Sequence, residues 1–535
     1  VTNPGQGLPA KPNLDQLKKQ ARELFLAASA DDPQAYARIK AHLREARDAS
    51  ELKLADAQHT LANEHDFANW AQLKRFVERV SMSKQDKVTA FVNAAISGKI
   101  DRANQLLEDT PEIASADLRC RLILGDVEFV YRLLEQHPEQ ATQKLGSKQH
   151  VDPLVYACFS CYLKARDSRS SRIVECAMHL LRAGATANDG MLHDPDNPDS
   201  NTPVLYGAAG LNNHPILVRT LLEAGAEVND GESSYHAAEH NYRESLELLK
   251  EFGADFSKRH APWNNTILYY LTGYADDDDA AADADQGIRW LLENGADPNV
   301  WSYEHQSTPL HRIAERRRGE LVDWMIEFGA DVDAKNASGQ TPLHIALLWG
   351  NEKAEAALRK HGGTAELTPT DLFMAACARG DDASIDAALR ENPNLVNELS
   401  PERLKALPDA CWSGNDRAAR SMLRAGFDVS VRGAMGGTPL HLAAWQGNVE
   451  LVREILKHDP PLEVVCETFG TPPLGWATHG SVNCSRKDGD WLGCIKAIAE
   501  AGAPLDGPLN KWDESPMALG NDEAAALLIR LGATR

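Results

Sequence analysis

Residues 233–245, SSYHAAEHNYRES, set His236, Glu239 and His240 in the spacing His-x-x-Glu-His. One class of zinc peptidases uses that spacing on a helix. Other residues with chemical reach are scattered. Cys158 and Cys161 form a C-x-x-C without a second pair, which favours helical packing over redox or metal work. Asp189, Asp194, Asp196 and Asp199 crowd one stretch whose D-x-D-N-P-D spacing matches part of a calcium loop, but that loop's glycine and distal glutamate are absent. The acidic run YADDDDAAADADQ, 274–286, reads as a solvated insertion. No G-x-G-x-x-G follows a strand, and no G-x-x-x-x-G-K-[ST] or G-x-S-x-G occurs.

The elements that must position these residues recur. Thr-Pro-Leu-His stands at 308–311, 341–344 and 438–441, and the first two copies start 33 residues apart. The same interval separates Thr438 from Thr471, which opens the variant TPPL, and Ser233 from Thr266. Threonine is a good helix N-cap, proline fits the first turn, and Leu-x-x-Ala gives an apolar helix face. Units close on stops such as LLEAGAEVN, LLENGADPN and MIEFGADVD, whose glycine supplies the left-handed conformation that ends a helix. A single unit cannot bury its apolar face, so neighbours must stack.

With that phrase and period, residues 84–535 resemble the ankyrin-repeat family, in roughly a dozen units, some of them degenerate. The resemblance implies an all-α solenoid of helix-turn-helix units with β-hairpin fingers at right angles, and ligands bound on the concave face. Residues 12–80 read as a separate helical module, with Asn13 capping the first helix and Gln16 three residues on. The module resembles helical segments that precede ankyrin arrays in bacterial proteins, and its plainest role is to cap the solenoid at the N-terminal end.

At 535 residues the chain exceeds one ordinary core, and 43% hydrophobic with 25% charged residues is a globular composition. No apolar run approaches the roughly 18 residues of a spanning helix. The opening VTNPGQGLPAKPN has neither the basic start nor the apolar core of a secretory signal. Nine cysteines without framework spacing fit reduced thiols, so a cytoplasmic protein is expected. A net charge of −22 repels polyanions, which argues against nucleic acid and anionic membranes as partners.

The shared frame allows columns to be stacked. Four residues after the Thr-Pro-Leu-His histidine, the family's groove position falls on His240, Glu315, Trp412 and Trp445 among others; one further on lie Asn241, Tyr274, Arg316, Trp349, Gln446 and His479. Finger loops edging the same groove carry Asp230, Glu232, Trp301 and Tyr303. Tryptophans at such positions suit a docking surface. His236 falls in the structural histidine column, which removes the first metal ligand; no metal or cofactor is expected.

Glu239 shares its column with Ala314, Leu347 and Ala444, so its carboxylate is expected to bond backbone or to have a raised pKa. The leading expectation is a concave groove, centred on 202–479, that binds a protein or a polar small-molecule or glycan ligand. The alternative is an acid/base hydrolase or lyase, possibly glycan-active, whose candidates are Glu239, His240, Glu315 and Asp230. It needs paired carboxylates about 5–10 Å apart beside the tryptophans.

Overall fold

A computed structural model describes residues 8–9, 12–30, 32–42, 48, 52–146, 151–192, 201–260, 264–273, 281–316, 319–486, 488–512 and 514–534. Asp194, Asp196, Asp199 and Tyr274 lie outside the described residues, as does the side chain of Arg316. The chain divides into two compact units, one formed by Ser83–Glu366 and the other by Val1–Met82 with Leu367–Arg535.

The unit Ser83–Glu366 is a succession of helix pairs, from Lys84–Ile96 with Ile100–Asp109 to Pro342–Trp349 with Glu352–Lys360. First helices pack on first helices and second on second, which makes two helical layers. The threonines behave as caps: Thr266 Oγ1 accepts from the Tyr269 amide at 3.2 Å, and Thr341 Oγ1 from the His344 amide at 3.2 Å. His311 joins units. Its Nδ1 lies 2.8 Å from Thr308 Oγ1 and its Nε2 donates to the Gln340 carbonyl of the next unit at 3.0 Å.

The fingers between units are brief. Among the described residues the one ladder pairs Gly190–Leu192 with Asn201–Pro203, and other fingers close on isolated bridges such as Ser302 with Ser307. Neighbouring fingers bond edge to edge, Tyr303 donating its amide to the Asn264 carbonyl at 3.2 Å and Ala337 to Gln306 at 3.1 Å.

In the other unit the pairs run from Pro369–Arg379 with Asp382–Glu391 to Pro516–Leu519 with Asp522–Leu531. His441 repeats the bridge, its Nδ1 accepting the Thr438 amide at 3.1 Å and its Nε2 donating to the Thr471 carbonyl at 3.1 Å. Burial holds this imidazole neutral, with its pKa pushed down to about 3.

The N-terminal helices, Leu14–Ser29, Pro33–Lys40, Leu54–Glu64 and Trp70–Ser81, belong to this same unit. Asn13 caps the first of them, accepting from the Asp15 and Gln16 amides. The sequence suggests a cap for the N-terminal end of the solenoid, but the structure seats this module on the last helix of the chain. Phe25, Ile39, Leu52 and Leu54 form one buried cluster with Ala526. The Arg530 guanidinium lies 5.2 Å from the Phe25 ring centroid and donates to the Leu52 carbonyl, and Lys53 pairs with Glu523 at 3.3 Å. The physical reason is an apolar face: Ala526 on the helix Asp522–Leu531 is buried by the N-terminal helices, as a neighbouring repeat would bury it.

A charge buried at this contact should release it. Ala526→Asp is expected to cost about 2–4 kcal/mol locally. Amide exchange in Asp522–Leu531 and Leu14–Ser29 should rise, with Pro369–Arg379 unchanged. Unaltered exchange in both helices would show that the module does not cap the last repeat.

Candidate functional site

The helix Ser233–Glu239 departs from the pattern set by His311 and His441. Ser233 gives its hydroxyl to Asp230 Oδ2 at 2.5 Å, and Asp230 Oδ1 accepts the Glu232 and Ser233 amides at 2.9 and 2.8 Å. Asp230 is therefore consumed in holding the helix start. Burial pushes its carboxyl up to about 6 against those hydrogen bonds. With the cap partner engaged elsewhere, His236 turns along its own helix. Its Nδ1 lies 2.6 Å from Glu239 Oε2 and its Nε2 3.3 Å from Glu232 Oε2.

The expected structural duty of His236 thus gives way to a carboxylate–imidazole–carboxylate row. Burial alone would lower the imidazole pKa, but bonds to Glu232 and Glu239 and their charge overcome it and push it up to about 9. Glu239 moves opposite to the expectation. Burial favours its neutral form, yet the His236 bond and charge hold its carboxyl below the ordinary value.

Tyrosines surround the row. The Tyr206 ring meets the His236 ring edge-on at 5.0 Å, and the Tyr270 hydroxyl donates to Glu239 Oε1 at 3.4 Å. Tyr235 lies beneath, 5.6 Å from the Tyr270 ring, with its hydroxyl donating to the Asn265 carbonyl at 2.7 Å. Burial and the Glu239 charge push the Tyr270 phenol up to about 12.

Two glycines make this approach possible. A Cβ on Gly210 would stand 2.8 Å from the Tyr206 ring and 2.9 Å from His236 Cβ. One on Gly287 would stand 1.9 Å from the Ala238 carbonyl oxygen. Gly210 lies in a single wide π turn, Gly207–Leu211, of the kind that often marks functional positions.

The other expected residues lie as follows. His240 caps the helix C-terminus, is exposed as a residue, and meets the Tyr242 ring at 5.2 Å and a 40° tilt; partial burial of its imidazole lowers its pKa. Asn241 takes a left-handed φ of 52° in the turn, and its side chain accepts from Arg243 Nε at 2.6 Å. Glu315 pairs with Arg312 at 3.3 Å in the helix Pro309–Arg316, two first-helix layers away. Two such layers amount to roughly 16–20 Å, so Glu239 and Glu315 are not a general acid/base pair of glycosidase spacing. Trp301 is half-buried, and its carbonyl accepts from Arg259 Nε at 2.6 Å. Tyr303 is 62% exposed with the Arg259 guanidinium 4.5 Å above its ring. Trp349 ends the helix Pro342–Trp349, half-buried.

Trp412, Trp445, Gln446 and His479 belong to the other unit. Gln446 donates to the Trp412 carbonyl at 2.8 Å, and Trp445 stacks on His479 at 5.5 Å. Trp491 locks the loop that follows His479, donating to the Trp445 carbonyl at 2.9 Å. Its indole sits against Gly447, Gly480 and Gly489, where a Cβ would meet it at 2.9, 2.6 and 2.6 Å. These tryptophans and their neighbours form a packed ladder. Cys158 and Cys161 are free and buried, their thiols raised by burial, as packing residues are.

The sequence columns overlooked Tyr206 and Tyr270. Each follows the histidine column by one residue, in the units on either side of Ser233–Glu239, and that coincidence was the available signal.

The His236–Glu239 pair carries opposite pH signs. His236, raised from an unfolded value near 6.5, contributes stability that is full below about pH 6.5 and lost as pH rises through about 9. Glu239, lowered, contributes above an unfolded value near 4.3 and loses it as pH falls through the folded value. Glu239→Gln should therefore destabilise by on the order of 2 kcal/mol at pH 5.5. In urea unfolding the gap to the parent should shrink at pH 7.5 and largely close by pH 9.5; a pH-independent gap would refute the ion pair.

Among comparisons with known proteins, the family model for ankyrin repeats matches residues 279–371 and 372–466. A segment of 158 residues is 34% identical to the Arabidopsis thaliana E3 ubiquitin-protein ligase XBAT32, covering 28% of this chain and 29% of the ligase. A longer segment of 316 residues is 28% identical to human SH3 and multiple ankyrin repeat domains protein 2, covering 56% of this chain and 15% of that protein. The chain thus spans less than a third of either relative. The crystal structure of the human ASB11 ankyrin repeat domain aligns at 24% identity and a TM-score of 0.35, over 47% of this chain and all of that domain. The matched repeats and the helix pairs that continue them on both sides make this chain an ankyrin-repeat protein, an all-α solenoid.

Proposed function

We propose that the chain is a binding scaffold, which holds a protein partner against the first-helix face of the unit Ser83–Glu366 at Tyr206, His236, Glu239 and Tyr270. The observation that carries this reading is the Glu232–His236–Glu239 row, set among part-exposed tyrosines. The equivalent column elsewhere buries Ala314, Leu347 and Ala444. A fold under stability selection alone has little reason to place an ion pair there.

The acid/base alternative has less support. Both nitrogens of His236 face carboxylates, which leaves neither available to a substrate proton. Tyrosines flank Glu239, and the ladder of Trp412 and Trp445 belongs to the other unit. The relatives that share these repeats, a ubiquitin ligase and a protein with an SH3 name, differ in everything their names state beyond the repeats. A common binding role for the repeats accounts for that better than a shared reaction. We place the scaffold in the cytoplasm, where its nine free thiols stay reduced.

Site-specific photocrosslinking tests the reading. A benzoylphenylalanine at exposed position 240 is expected to capture one defined protein in cells. The adduct should disappear with Tyr206→Ala and Tyr270→Ala. The same amino acid at Glu247, exposed on the second helix Arg243–Glu251, should not capture it. No adduct at 240, or equal capture at 247, would overturn the proposed face.

A further inference from the structure

The chemistry of this patch narrows what it takes. Three tyrosine rings, Tyr206, Tyr235 and Tyr270, lie within one contiguous set of contacts around Glu239 and His236. Glu232 and Glu239 flank the single imidazole, and the Asp283 carboxylate acts on His240 and Tyr242 at the edge. Even with His236 protonated, the carboxylates outnumber the imidazolium.

Among the described residues the nearby cations are differently placed. Arg243 is held by Asn241 and by the Gln286 carbonyl, and Arg312 by Glu315. Lys164 is exposed and acts on His240 from a distance. The carboxylate at the centre, Glu239, is nearly buried, with its side chain 12% exposed, whereas Glu232 is 43% exposed and stands at the rim. Tyr206, His236 and Tyr270 are part-exposed between them.

Phenol faces attract cations through the ring quadrupole, and a half-desolvated carboxylate strengthens a charge-assisted bond. The same surroundings repel an anion and leave a neutral amide without a matching charge. Gly210, whose missing Cβ lets Tyr206 close over His236, brings the phenol ring against the charged row.

Resting on the binding role above, we infer that the Tyr206–Glu232–His236–Glu239–Tyr270 patch is a subsite for a cationic side chain, arginine or lysine, of the bound protein. The cation lies between the Tyr206 and Tyr270 rings and bonds Glu239 and Glu232, sharing them with His236. The acidic surface of the chain, −22 overall, draws a basic segment toward it at long range.

The test uses the full chain with histidine and tyrosine rings isotopically labelled. Nα-acetyl-arginine amide, Nα-acetyl-lysine amide and the neutral isostere Nα-acetyl-citrulline amide are titrated by NMR at constant ionic strength. The arginine or lysine probe is expected to shift the His236, Tyr206 and Tyr270 signals saturably, and citrulline to bind about tenfold more weakly or worse. Whichever of arginine and lysine binds more tightly identifies the side chain.

Glu239→Gln should weaken the cation by about tenfold, and Glu232→Gln, at the exposed rim, should weaken it without touching the buried carboxylate. The second variant keeps the test decisive where the first does not fold. Citrulline binding as well as arginine, or no saturable shift with either cation, would overturn the subsite. A crosslinked partner at position 240 together with that result would leave the scaffold role standing and sink only the cationic preference.

Discussion

The structure depends on one constraint: a lone helix pair in this chain cannot cover its own apolar face. Every unit must hand that face to a neighbour, and the imidazoles of His311 and His441 fix how closely the neighbours come. Each links its own N-cap threonine to the backbone of the next unit through a buried, neutral ring. The bond is directional, so it sets spacing as well as adding stability, and the fingers then pair edge to edge at matching intervals. The same constraint holds at the helix Asp522–Leu531, whose apolar face the N-terminal module covers through Phe25, Leu52 and Leu54.

Against this background the unit at 233–251 is informative because it gives the bond up. Ser233 turns to Asp230, and His236 is left to find partners on its own helix. Loss of an inter-unit hydrogen bond is a cost that must be offset nearby. Close packing supplies part of it: Gly287 lets the second helix of the following unit reach the Ala238 carbonyl, and Tyr235 donates across to Asn265. The result is a charged, aromatic surface packed against its neighbours.

Much of the architecture was legible because repetition multiplies weak signals. A threonine cap or a glycine stop says little alone, but a 33-residue recurrence of both identifies the unit and its frame. The frame also singled out Glu239 as misplaced, and it is. What the frame missed followed from treating His236 as equivalent to His311: the column assumes a free threonine hydroxyl, and at Ser233 that hydroxyl is spoken for by Asp230. Once the cap partner is lost, the sign of the Glu239 shift reverses, because a protonated imidazole 2.6 Å away outweighs burial. The module's seat was equally hidden, since contacts between residues near 25 and 526 leave no mark in local periodicity.

The two units also show why aromatic content at repeat positions is an ambiguous guide. In the unit that holds Trp445, part-exposed indoles pack on glycines and on each other, with Trp491 closing a loop over Gly447 and Gly480. Around His236 the tyrosines instead stand beside charge. The difference lies in what they adjoin. An indole set against backbone and glycine completes a core, whereas a phenol set against a carboxylate keeps a polarity that packing has not neutralised. Function is therefore better sought at the repeat whose internal hydrogen bonds have been rearranged than at the one carrying the largest rings.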